Sequence, residues 1–314
     1  MWSGRVLHSP AFIVFGGFNS SGSTIPGTKY PKINLNRKKR FFCPLQGNVP
    51  MSIHKLTLPG IQKIREHLQQ SLTLPDLENR PRRVDLGLED DIPEPDSLDA
   101  LGDLFRAATI PEEVLNAPNT DGRWFISSIN PGAGLNRVPG LTLKAEYRFV
   151  PYLFRTVDRG IGQVWAVPEA ESGTADLEEV LGQPGLNRQN PPRPVHALDH
   201  PLLAIEGDRS PASYVIASIF CRELKEFGAL GEDSNWSHHR LVAKLPPQVK
   251  WNWKVEPPKD LAPKVKVFED GKAAVDFYTC RITPPIALVR HLDQYPAEHY
   301  AAHNVDRVLA TAIR

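Results

Sequence analysis

The alternation of apolar and polar positions divides the chain near residue 51. Ile61, Ile64, Leu68 and Leu72 recur at helical spacing behind Pro59-Gly60, which predicts an amphipathic helix with one buried stripe. A shorter helix is expected over 98–107, with Asp96 or Ser97 as its N-cap. From Arg123 onward the period shifts towards that of strands. Trp124-Phe125-Ile126 leads into an Asn-Pro-Gly turn, and the apolar-rich run 141–155 connects through Asp158-Arg159-Gly160 to 161–167, the pattern of a hairpin. A second hairpin is expected where 264–268 and 273–282 flank the turn Glu269-Asp270-Gly271-Lys272. Between the hairpins, 211–228 reads as a helix that is apolar nearly all round, through Tyr214, Val215, Ile216, Ile219 and Phe220, and should lie buried against the sheet. A last amphipathic helix is expected over 296–313. Hairpins, one buried helix and flanking helices, without βαβ alternation, predict an α+β fold with a largely antiparallel sheet. No internal repeat is present.

Composition narrows the class without naming a function. With 41% hydrophobic and 23% charged residues in 314, the chain has the proportions of a globular protein, which excludes collagen, coiled coil, wholesale disorder and a disulfide scaffold. Its 30 prolines favour turns and irregular connections over a helical bundle. No apolar run is long enough for a membrane-spanning helix. Charge, by contrast, is distributed unevenly. Residues 1–50 carry seven Lys or Arg and no acid, so of the total of 37 basic and 36 acidic residues the remainder holds 30 and 36, a net charge of −6. The expected organisation is therefore a basic leader over 1–50, N-terminal helices with an acidic linker over 51–108, and an α+β domain over 109–314. The leader reads as an extension or upstream sequence before Met51, or as an organellar transit peptide by its basic, acid-free, Ser-containing composition. The compartment expected is the cytoplasm, or a plastid or mitochondrion if the transit reading holds. Arg37-Lys38-Lys39-Arg40 reads as a solvated charge run, and the acidic residues between Asp85 and Asp99 read as a solvated linker, since they lack the spacing of a calcium loop. Cys221 and Cys280, without CxxC spacing, are expected to be buried thiols.

Histidines supply the candidate chemistry. On a helix, His299, His303 and Asp306 would share one face within about 60°, a spacing able to place two imidazoles and a carboxylate around a divalent metal. His196, Asp199 and His200 form a second cluster and His238-His239 a third. If these loops converge with the terminal helix, they make a metal site or a general acid/base pair, because histidine titrates near neutrality. Other signatures are missing: there is no G-x-S-x-G elbow and no P-loop, and the Gly132-Ala-Gly134 segment leads into another strand, without the helix N-terminus a phosphate cradle needs. Pro191-Pro192-Arg193-Pro194 has the composition of a polyproline II ligand as well as of a rigid loop. Trp251 and Trp253 alternate with Lys250, Asn252 and Lys254, either as a base-stacking surface or as core packing. Tyr147, Phe149, Val150 and Tyr152 match only part of an RNA-recognition strand, whose glycines are missing.

No family resemblance emerges. The missing catalytic signatures favour a non-catalytic protein acting through protein contacts, as an assembly factor, complex subunit or scaffold, with the proline cluster and the two tryptophans as contact residues. That reading expects no cofactor and a protein partner, with no membrane; the acidic body lowers the expectation of nucleic acid. The alternatives are a metal-dependent hydrolase built on the His/Asp cluster and a nucleic-acid-associated factor.

Overall fold

The computed structural model describes residues 52–79 and 122–313. The basic leader, the acidic stretch and the helix expected over 98–107 lie outside the described residues. In chain order, β1 (Ser52–Lys55), α1 (Leu58–Ser71) and the single turn α2 (Asp76–Asn79) precede β2 (Trp124–Ile126), β3 (Leu141–Leu143), β4 (Tyr147–Arg155) and β5 (Gly160–Pro168). Then come α3 (Thr174–Leu181), β6 (Ile205–Gly207) and α4 (Pro211–Lys225). The remainder is strand: β7 (His239–Val242), β8 (Trp251–Trp253), β9 (Lys264–Val267), β10 (Ala273–Arg281), β11 (Ala287–Tyr295) and β12 (His303–Ala312). Every pairing between these strands is antiparallel, which makes the chain α+β with antiparallel sheets.

The larger sheet runs β1-β9-β10-β11-β12-β8. One edge of β10 is shared: β9 pairs with Ala273–Asp276 and β7 with Tyr278–Arg281. A smaller sheet, β2-β4-β5, contains the first expected hairpin, with Arg155 opposite Gly160. The second expected hairpin is β9-β10, with Val267 opposite Ala273 across the Asp-Gly turn. The run 141–155 is not continuous: Leu141–Leu143 pairs with β6, and a turn at Lys144–Tyr147 separates it from β4.

Helix α4 sits between the sheets. Ser210 caps it by accepting from the Ser213 N–H, Pro211 occupies its first turn, and Ser213 to Leu224 are all buried. A helix buried all round needs apolar walls on both sides, and it has them: Phe149, Leu153 and Val164 from β4 and β5, and Val265, Val275 and Phe277 from β9 and β10. Its internal hydroxyls are satisfied by tyrosines, Ser218 Oγ lying 2.7 Å from Tyr295 Oη and Ser213 Oγ 2.9 Å from Tyr300 Oη. The amphipathic stripe of α1 packs on α4, burying Ile61 and Leu68. Beyond the helix, Gly228 adopts φ 70°, where a Cβ would clash with the Leu153 side chain. The outer faces of the sheets are closed by Leu177 of α3 with Ala197, and by Leu261 with Trp251 and Trp253.

One expected element is overturned. Residues 296–313 do not form a helix; His303–Ala312 is strand β12, paired with β11. The apolar spacing that suggested a helix comes from a strand whose alternation is interrupted: Val308 opposes Val289 and Ala310 opposes Leu288, so Leu309 is an extra residue and shifts the phase. Among the described residues no helix is long and apolar enough to cross a membrane.

Because α4 is the shared wall of both sheets, Ile216→Ala is expected to lower stability by about 2–5 kcal/mol in urea unfolding. Ile216 is fully buried. A loss below about 1 kcal/mol would show that α4 is not the centre of the core.

Candidate functional site

The last turn of α4 brings charge into the core. Arg222 donates from both terminal nitrogens to Asp293 on β11, at 2.6 and 2.8 Å, and from Nη2 to Asp306 on β12 at 3.0 Å. Its guanidinium lies 5.0 Å from the Phe277 ring and 5.6 Å from Trp236. Asp293, fully buried, also accepts from Asn304 Nδ2 at 2.7 Å. Burial opposes the charge on Arg222, yet the bonds and charges of Asp293 and Asp306 outweigh it and hold the pKa above its ordinary value. The neighbouring Glu223 accepts from Arg65 Nε at 2.8 Å and from Trp236 Nε1 at 2.7 Å. Arg65 also donates to the carbonyls of His239 and Trp236, fixing the segment that leads into β7. Trp236 is thereby flanked by two guanidiniums, with Arg65 4.5 Å from its ring centroid.

Beside these ion pairs runs a line of four side chains across the inner face of the large sheet, one from each of the neighbouring strands β12, β11, β10 and β7. Asp306 Oδ1 is 2.7 Å from His291 Nδ1, His291 Nε2 is 2.8 Å from Thr279 Oγ1, and Thr279 Oγ1 is 2.7 Å from His239 Nδ1. Register produces the line: Asp306 lies directly opposite His291, and Thr279 lies opposite Leu241, two residues from His239. Proton positions follow from the donor inventory. Burial works against the charge of Asp306, but its bond to His291 and the Arg222 charge hold it ionised, well below the usual carboxylate range. An ionised carboxylate only accepts, so His291 donates from Nδ1. His291 is neutral, its pKa lowered by burial against the opposing pull of Asp306, so Nε2 accepts from the Thr279 hydroxyl. Thr279 has then spent its one proton and must accept from His239 Nδ1–H. His239 is likewise neutral, pushed down to about 4 by burial first and then by His291 and nearby arginines. Its Nε2 therefore carries a lone pair, without a hydrogen-bond partner among the described residues.

His239 and His291 line a cleft of about 260 Å³ together with Asp306, Trp236, Lys225 and Asn304. At about 30 Å³ per molecule, that is room for roughly nine waters, the scale of a small metabolite.

Of the residues singled out in the sequence, His239 and Asp306 come together in this site, bridged by His291 and Thr279, which the sequence reading missed. A signal for the missed histidine was present: the inner face of β11 reads Ala287, Val289, His291, Asp293, Tyr295, two polar residues in an apolar row. The expected metal triad does not form. With the strand in place of the helix, His303 and Asp306 are an odd number of residues apart and point to opposite faces; His303 is exposed, and His299 lies before the strand. Among the described residues no group of three or more His, Cys, Asp or Glu side chains could hold a metal ion. The second cluster does not converge with the site either. His196, held at φ 55°, bonds Glu171, and Asp199 bonds Arg193. His200 accepts from the Leu202 N–H and lies 3.8 Å from Cys221 Sγ. His238 is half-buried beside β7. Pro192 and Pro194 are buried, and Pro191 is half-buried; Trp165 Nε1 donates to the Pro192 carbonyl, and Arg193 lies over the Trp165 ring. Trp251 and Trp253 pack with Tyr278 and Leu309. Both body cysteines are buried free thiols.

No family model matches the chain, no curated protein is significantly similar to it, and no solved structure matches it.

The neutral imidazoles make the fold acid-labile. In the unfolded chain His239 takes a proton near its ordinary value of 6.5, whereas in the folded protein it resists down to about 4. Between those values the unfolded state binds more protons, so stability falls as pH drops through that window, by up to about 3 kcal/mol from this residue. His200, also pushed down to about 4, adds to the slope, and Asp306 adds a further loss below the ordinary carboxylate range. Asn can keep the donor to Thr279 without titrating. Urea unfolding from pH 7 to 4 should show a smaller loss for His239→Asn than for the native protein; parallel pH profiles would contradict the neutral assignment.

Proposed function

We propose that the protein acts on a small polar molecule by general acid–base chemistry in the cleft, with His239 Nε2 as the group that meets the substrate proton. The observation that carries this reading is the unbroken line Asp306, His291, Thr279, His239, whose bond directions leave one basic nitrogen at its end. A proton taken by His239 Nε2 is matched by passage of the Nδ1 proton to Thr279 and of the Thr279 hydroxyl proton to His291 Nε2. His239 and Thr279 end neutral, and the positive charge rests on His291 beside Asp306. Burial makes His239 a weak base and also opposes charge on His291, and the Asp306 carboxylate offsets part of that cost for a proton that reaches His291. Arg222 is a positioning residue, holding Asp306 in line while Asp293 neutralises it. The expectation of a non-catalytic protein rested on missing catalytic motifs. The line supplies chemistry that no motif records, because its members are spread from residue 239 to 306.

The test is protein-dependent exchange of deuterium from D₂O into a panel of small hydroxy acids, oxo acids and amides, followed by NMR. Native protein should exchange an acidic C–H of at least one compound above the buffer rate. His239→Asn should abolish it, and Thr279→Val, nearly equal in shape, should slow it by about 10²–10⁴-fold. No exchange above buffer across the panel, or equal rates in both variants, would contradict the proposal.

A further inference from the structure

The proline-rich connection before β6 takes no part in the acid–base line, yet it forms one wall of a second groove of about 260 Å³, which shares no residue with the cleft. Pro194, Val195 and His196 make that wall, and Asp176, Glu179 and Val180 of α3 make the opposite one. The proline wall is fixed from behind. Trp165 Nε1 donates to the Pro192 carbonyl at 2.7 Å, and Arg193 is spent on the Ala197 carbonyl, on Asp199 and on the face of Trp165. Two chemistries meet in the groove. Val180, Pro194 and Val195 give it an apolar lining, and Val195 is 65% exposed, more than any other large apolar side chain among the described residues. Its charged groups are three carboxylates, with no Lys or Arg beside them. Glu171 is bonded to His196 Nδ1 at 2.7 Å, whereas Asp176 and Glu179 form no ion pair and no side-chain hydrogen bond among the described residues.

We infer that this groove docks a protein partner through an arginine carried on an extended segment, with the guanidinium on Asp176 and Glu179 and the adjoining apolar surface on Val195. Asp176 and Glu179 are three residues apart on α3, so they stand as neighbours on one helix face. Two unpaired carboxylates beside an apolar lining match arginine: its planar fork binds carboxylates in parallel bonds, and its methylene stem and weakly hydrated faces suit apolar contact. Lysine, a compact and strongly hydrated point charge, matches the pair less well. Among the described residues no group of three His, Cys, Asp or Glu side chains could hold a metal ion, so the charge of the groove is left for an organic cation. Asp176 also stands in the first turn of α3, where a carboxylate favours the helix by itself. That structural role predicts a change in stability on substitution and no change in ligand preference, so the two are separable.

The experiment titrates full-length protein into fluorescent peptide pools with randomised flanks around a central arginine, lysine or citrulline, the last being the uncharged isostere of arginine, and reads anisotropy. The arginine pool should bind about tenfold more tightly than the citrulline pool, and more tightly than the lysine pool. Asp176→Asn combined with Glu179→Gln should bring the arginine pool down to the level of citrulline. Val195→Ser should weaken the arginine pool and keep its preference over citrulline. Glu178→Gln, on the same helix but outside the groove, should leave binding unchanged. Equal binding of the arginine and citrulline pools, no binding of any pool, or a preference that survives the double substitution in a protein still folded by urea unfolding would overturn the inference. An equal loss with Glu178→Gln would overturn it too, by assigning the effect to general surface charge. Spermidine that binds more tightly than every peptide pool would reject a protein partner in favour of a free polyamine.

Discussion

Arg222 is a cation on a helix that the fold buries from both sides, and removing such a group from water costs several kcal/mol unless it is paired and hydrogen-bonded. Asp293 makes the burial tolerable by meeting both terminal nitrogens, with further bonds from Nη1 to the Ser218 carbonyl and from Nη2 to Asp306. The pairing ties the last turn of α4 to β11 and β12, so the helix, the central strands and the late-chain strand are held in one arrangement. The ion pair, together with the Ser213–Tyr300 and Ser218–Tyr295 bonds, anchors α4 at three points along its length. The same constraint aligns Asp306 with His291, and through His291 the sequence Thr279 to His239. Fold specification and candidate chemistry thus depend on one buried pair.

The second pair, Arg65 with Glu223, does for α1 what Arg222 does for the sheet. It fastens the N-terminal helix to α4 and, through the carbonyls of Trp236 and His239, sets the start of β7. Trp236 lies between the two guanidiniums and contributes its indole N–H to Glu223. His239 therefore has its backbone held by Arg65 and its ring held by Thr279, which leaves little freedom for the nitrogen at the end of the line.

Much of this fold was legible in the order of residues. The Asp-Gly turn between β9 and β10, the hairpin β4-β5 and the apolar helix α4 each carry a strong local pattern, because turn chemistry and periodicity act over a few residues. Strand β12 was not legible for an equally local reason. Its extra residue at Leu309 breaks the alternation, and the remaining apolar spacing imitates a helix; only pairing with β11 decides the outcome. The site was half legible. His239 and Asp306 stand out as polar residues with useful chemistry, but the reason they cooperate is the register of four strands, which has no expression as a motif. Clusters that looked stronger in sequence, such as His196 to His200, were adjacent in the chain and engaged locally instead, with Glu171, Arg193 and Cys221.

A double-mutant cycle on the central pair, Arg222→Met and Asp293→Leu, with stability read by urea unfolding, measures how strongly the ion pair couples helix to sheet. Each single substitution leaves one buried charge without its partner and is predicted to cost about 3–5 kcal/mol, while the double variant is predicted to recover a large part of that loss, giving a coupling of at least about 2 kcal/mol. Additive losses, or single substitutions that cost less than about 1 kcal/mol, would contradict the claim that this ion pair holds the helix and the sheet in register.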